Sequence, residues 1–140
     1  MSKTTGVICV SFLALGIAFG AGPKSRDGRA RNQVEGTWEH DIPGQPELRQ
    51  VKVINADHFI WVTSLRATKE AVLAAGGSYT LKGDTYTEMI EFARFGTAEM
   101  QKEGVGKAQP FQIKIVGDTK TVTADLGKGR RFREVWKRVK

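Results

Sequence analysis

Cysteine is almost missing from this chain. The only one, Cys9, lies inside the apolar N-terminal run Val7–Phe19. Hydrophobic residues still follow it, whereas a lipid-bearing cysteine would end such a run. The rest of the chain therefore has no disulfide, no thiol nucleophile and no thiolate metal site. Histidine is scarce as well, with His40 and His58 alone. A zinc centre wants about three protein ligands at suitable spacing, so no metal is expected, and His58 reads as a strand-edge or pocket hydrogen-bonder. Gly104-Val-Gly106 and Gly127-Lys-Gly129 are not followed by the helix of a phosphate-binding loop. Ser64 and Ser78 lack a nucleophile elbow. No catalytic residue and no cofactor is expected from these patterns.

Long hydrophobic runs are also lacking. The N-terminal apolar segment spans about 13 residues, short of the roughly 20 that a membrane-spanning helix needs. With Lys3 before it and small residues at Ala18-Phe-Gly20 and Gly20-Ala-Gly22 after it, residues 1–22 read as a cleaved signal peptide. Residues 23–33 read as a flexible basic arm, and residues 34–140 as one domain. The expected location is secreted or periplasmic. The net charge of +7 is concentrated at the two ends: Lys128–Lys140 carries seven basic residues and one acid, and Lys24–Arg31 carries four and one. Between them, residues 32–127 hold ten basic and thirteen acidic residues. A nucleic-acid binder would spread its basic stripe over the folded surface, so no nucleic-acid partner is expected. Anionic lipid or another envelope surface, or plain water, suits the basic ends.

What is plentiful is alternation. Gly76–Phe92 reads as two strands closed by the Gly83-Asp84 turn, where glycine supplies the positive φ of a tight hairpin. That register sets Leu81 opposite Tyr86 and Tyr79 opposite Glu88, with Ile90 and Phe92 on the same face. Val34–His40 reads as a short strand, Ile42–Pro46 as a loop, and Val51 and Val53 alternate in the next strand. His58–Thr63 is strongly β-prone, with Phe59, Trp61 and Thr63 sharing one face. Ala71–Ala75 fits a strand, and Thr97–Lys102 fits a helical turn or two inside the long segment 93–109, either a surface excursion or a lid. Phe111, Ile113 and Ile115 then share a face, as do Val122, Ala124 and Leu126, and finally Phe132, Glu134 and Trp136. The fold expected is all-β: an up-and-down antiparallel meander of eight to ten strands closing into a barrel.

Gly36-Thr-Trp38 opening the first strand, followed by a meander and an arginine-rich last strand, resembles the calycin superfamily of lipocalins and fatty-acid-binding proteins. In that pattern the indole packs under a basic side chain of the last strand. The resemblance implies barrel closure by Gly36 and Trp38 with Arg131, Arg133 or Arg138. His58-Phe-Ile-Trp-Val62, Gly76-Gly-Ser-Tyr-Thr80, Gly83-Asp-Thr-Tyr-Thr-Glu88 and Glu134-Val-Trp-Lys-Arg138 are similar to a family of secreted bacterial lipocalin-like domains of unknown function. That likeness implies a barrel and export, and supplies no ligand.

The acids Glu88 and Glu134 fall in phase with apolar neighbours, and an inward charge needs a partner or a purpose. In one reading they help orient a small, largely apolar ligand in a pocket lined by Phe59, Trp61, Tyr79, Tyr86, Glu88, Phe111 and Glu134. In another, Glu88 or Glu134 forms a buried ion pair with Arg133 or Arg94. A solidly packed barrel whose basic C-terminal strand contacts an anionic surface is the alternative role. An enzyme using the two acids, in the manner of a glycosidase pair, is a third.

Overall fold

The computed structural model describes residues 33–140. The signal peptide expected at 1–22 and the basic arm at 23–33, apart from Gln33, lie outside the described residues. Eight strands follow one another: β1 Gly36–His40, β2 Leu48–Asn55, β3 His58–Leu65, β4 Ala71–Lys82, β5 Thr85–Arg94, β6 Ala108–Val116, β7 Thr119–Asp125 and β8 Arg131–Arg138. One helix, α1 (Ala98–Gly104), sits between β5 and β6. Each strand pairs antiparallel with the next, and β1 also pairs with β8, so the meander closes into a barrel. Residues 33 and 34 are helical and the first strand starts at Gly36, two residues later than the strand expected from Val34.

Glycine sets both the turns and a bend. Gly83 and Gly117, each at φ 57°, occupy the first position of two-residue hairpin loops, where positive φ matches the twist of the flanking strands. In the Gly76–Phe92 hairpin, Tyr79 faces Glu88 and Leu81 faces Tyr86 as the alternation predicts. Beyond them the register shifts: Gly77 pairs with Ile90 and Gly76 with Phe92, leaving Glu91 as an extra residue. A one-residue bulge reverses which side chains face the core. Phe92, expected on the inner face, therefore points outward and is 53% exposed, its ring lying on Gly76. A Cβ at Gly77 would run into the Met89 carbonyl and stand 2.8 Å from the Glu91 nitrogen. After the bulge it is Ala93 and Phe95 that pack against the core.

One end of the barrel is sealed. Trp38 is fully buried, and its Nε1–H donates to the Val34 carbonyl at 2.8 Å. The Arg138 guanidinium lies 4.2 Å from the Trp38 ring centroid. It also donates to the carbonyls of Glu35 and Gln33, both at 2.7 Å. Gly36 has φ 129°, and a Cβ there would come within 2.5 Å of Arg138 Nη1, so the motif needs glycine to let this arginine pass. Arg131 and Arg133 point outward and are exposed. Strand parity decides among the three: only Arg138 shares the face of Phe132, Glu134 and Trp136.

The β2–β3 loop repeats the geometry of the other two hairpins without their glycine. Ala56 holds φ 51°, a left-handed conformation that costs a residue with a Cβ on the order of 1–2 kcal/mol. Part of that cost is offset because glycine has more freedom to lose on folding. Ala56→Gly should therefore stabilise the fold by roughly 0.5–1 kcal/mol, read as a higher urea midpoint at unchanged m-value. A lower midpoint would show that the Ala56 conformation carries no strain.

Candidate functional site

The inner face of β2 carries the charge that organises the interior. Val51 and Val53 alternate as expected, but Val53 is 41% exposed while Lys52 and Ile54 are buried. Lys52 sits between Trp38 of β1 and Trp61 of β3 in register and forms an ion pair with Glu88 of β5, with both side chains nearly buried. Its ammonium also lies 4.9 Å from the Phe59 ring centroid and 5.7 Å from those of Tyr86 and Trp136, where ring quadrupoles attract a cation. The partner of Glu88 is thus a lysine rather than Arg133 or Arg94, both of which are exposed on the outside of the barrel. A lysine flanked by two valines reads as an outward residue between inward ones, and that concealed it.

A second lysine is buried alone. Lys120 is 2% exposed, with its ammonium 4.6 Å from the Trp38 centroid and 5.3 Å from that of Trp136. Among the described residues no carboxylate comes within ion-pair distance of it. Burial, and then the neighbouring Lys52 charge, hold its pKa well below the ordinary lysine value. Tyr86 goes the other way: burial, then the Glu88 charge, push its phenol well above the usual range. The hydroxyls of Tyr86 and Thr63 are buried with no hydrogen-bond partner. Tyr79, 5.0 Å from Tyr86 between ring centroids, donates its hydroxyl to the Ala56 carbonyl at 2.6 Å.

Toward the α1 end the inward-facing side chains are more exposed. Glu134 is partly buried and accepts a hydrogen bond from Trp136 Nε1 at 3.0 Å. His40 is buried, donates from Nδ1 to the Val135 carbonyl at 2.8 Å, and lies 5.0 Å from the Trp136 ring. Trp61 stacks on Phe95 at 6.0 Å, and Phe111 lies 5.7 Å from Phe132. All four rings pack against the core while remaining partly exposed. Thr97 caps α1, its Oγ1 accepting from the Met100 amide at 3.3 Å, and Gly106 N–H donates to the Ile90 carbonyl at 2.8 Å, which ties the segment back to β5.

The seven residues expected to line a pocket thus divide. Phe59, Tyr79, Tyr86 and Glu88 are packed in the core; Trp61, Phe111 and Glu134 stand at its less covered end. Phe95 and Phe132 join the second group, and the buried His40 lies beside Trp136. Phe132 could have been found from its phase with Glu134, but Phe95 faces inward only because of the bulge. His58 is exposed and hydrogen-bonded to Asp57 at 2.6 Å. No cluster of three or more metal-ligating side chains exists among the described residues.

The fold and the charged interior define an eight-stranded up-and-down β-barrel with one sealed end. The chain belongs to the family described as a domain of unknown function, DUF4488, which matches residues 31–140. No match to this chain was found among curated proteins or among solved structures.

Burial holds the Glu134 carboxyl above the ordinary carboxylate range; the charges of His40 and Lys52 and the Trp136 hydrogen bond oppose that shift. A carboxyl whose folded pKa is raised binds more protons folded than unfolded, so stability falls as pH rises from about 4.3 through the folded value. Glu134→Gln keeps an acceptor for Trp136 and removes the ionisation. It should raise Tm at pH 7, and this gain should vanish below about pH 4. A Tm gain that persists at low pH, or a loss at pH 7, would contradict this.

Proposed function

We propose that this protein is an exported, lipocalin-like carrier that binds a small, largely apolar molecule without transforming it. The supporting observation is the asymmetry of the inward-facing side chains. Trp38, Ile54, Lys120 and Trp136 are buried at or near the sealed end, while Trp61, Phe111, Phe132 and Glu134 at the other remain partly open. Aromatic walls with a few placed polar groups are the usual makeup of a small-molecule site. In this reading the rings of Trp61, Phe95, Phe111 and Phe132 hold the apolar body, and Glu134 with His40 orients its polar end. Phe59, Tyr79, Tyr86 and Glu88 support the floor. Export follows from removal of residues 1–22, and the calycin likeness of Gly36 and Trp38 agrees with such a carrier.

Contact with an anionic envelope surface is the lesser reading. It keeps the exposed Arg131, Arg133, Lys137 and Lys140, but it loses Arg138, which is committed to Trp38.

Native mass spectrometry of the protein purified from its own host tests the carrier reading. A bound small molecule is expected, and it should be lost or reduced about tenfold in occupancy in Trp61→Ala, about 1.4 kcal/mol of binding. The bare protein mass at every gentle ionisation setting would overturn it.

A further inference from the structure

The seam that closes the barrel is short. β1 and β8 pair only at Trp38–Arg138 and Glu39–Lys137, although β8 continues back to Arg131. β1 stops at His40, and Pro43 and Pro46 follow closely; proline has no N–H to extend a ladder. Arg138 N–H donates toward β7, to the Asp118 carbonyl at 2.8 Å, and Val139 N–H toward β1, to the Thr37 carbonyl at 2.9 Å. Neighbouring residues in an antiparallel strand turn their backbone groups to opposite sides. The N–H and C=O groups of Arg133 and Val135 therefore face the β1 side, where no strand lies among the described residues. Among the described residues only the Val135 carbonyl is taken, by the His40 ring. A groove of about 610 Å³ runs there, with Asp41 and Pro43 on one wall and Arg133, Val135 and Lys137 on the other.

The charges in this groove are unbalanced. Glu39 is held by Arg49 at 2.8 Å and Asp41 by Arg66, so the acidic wall is neutralised from within. Arg133 and Lys137 have no ion pair among the described residues. We propose that this edge of β8 is a docking site for an extended acidic peptide, which adds as a strand beside Arg133 and Val135 and sets carboxylates against Arg133 and Lys137. Strand addition takes affinity from backbone hydrogen bonds and specificity from alternate side chains. Charge excludes the two self-occupants. The chain's own segment Lys24–Arg31 is basic, and the same edge of a second copy would bring Arg133 and Lys137 against their own kind. The inference does not rest on the carrier reading, since it needs only the backbone of Arg133 and Val135 and the charges of Arg133 and Lys137, although His40 borders both sites.

Amide exchange by NMR tests it, with a capped peptide of alternating glutamate and valine as the probe. At saturation the Arg133 and Val135 amides should exchange at least about tenfold more slowly, a protection worth about 1.4 kcal/mol. Arg133→Glu, or Lys137→Glu if the first fails to fold, should weaken peptide binding at least about tenfold by calorimetry, the size expected for an interface charge reversal. Unchanged exchange at those two amides would overturn the proposal. So would equal affinity for an alternating lysine–valine peptide, or binding to phosphatidylglycerol vesicles with none to the peptide.

Discussion

An ion pair in the middle of a barrel constrains everything around it. Lys52 and Glu88 come from β2 and β5, 36 residues apart in sequence, and meet in the barrel interior. Taking each charge out of water costs several kcal/mol even after relaxation, so neither can be left without the other. Their mutual attraction and the rings of Phe59, Tyr86 and Trp136 around the ammonium offset that cost. A one-residue slip of β2 would turn Lys52 outward, bring Val51 and Val53 inward and strand Glu88 in an apolar interior. The pair therefore penalises the wrong register more heavily than an apolar pair would, since alternation alone tolerates either face of β2.

The same pair explains the state of its neighbours. Glu88 is engaged by Lys52, so Lys120 is left against the faces of Trp38 and Trp136, and burial lowers its pKa well below the ordinary lysine value. The Tyr86 phenol beside Glu88 is kept protonated. At the other end Glu134 has Trp136 as its hydrogen-bond donor and a partly open environment. The interior thus grades from a sealed, aromatic-lined cationic end to a half-open end with a carboxyl. In the carrier proposal, that gradient, rather than any single residue, separates the supporting floor from the face on which a ligand would rest.

Much of this was legible in the alternation. The hairpins at Gly83 and Gly117, the closing meander and the facing of Tyr79 with Glu88 follow from period-two patterns and turn chemistry. The packing of Trp38 under a last-strand arginine came from the calycin likeness, which left Arg131, Arg133 and Arg138 open until the barrel placed Arg138 over the indole. Two things were hidden, for different reasons. Lys52 was concealed because a charged residue between valines matches the pattern of an outward position, and only a partner 36 residues away reverses that preference. Phe92 and Phe95 were concealed because a bulge inserts one residue and exchanges the faces of everything after it. The empty side of β8 could not be seen at all, since it depends on where β1 stops relative to its partner.

The central claim is that Lys52 and Glu88 act as a unit on which the barrel interior depends. A double-mutant cycle with Lys52→Met, Glu88→Leu and the double variant, followed by chemical denaturation, measures it. Each single change should cost about 3–5 kcal/mol, because it leaves one buried charge alone, while the double variant should lie near the wild type or above it. Single changes close to neutral, or losses that simply add in the double variant, would contradict the account.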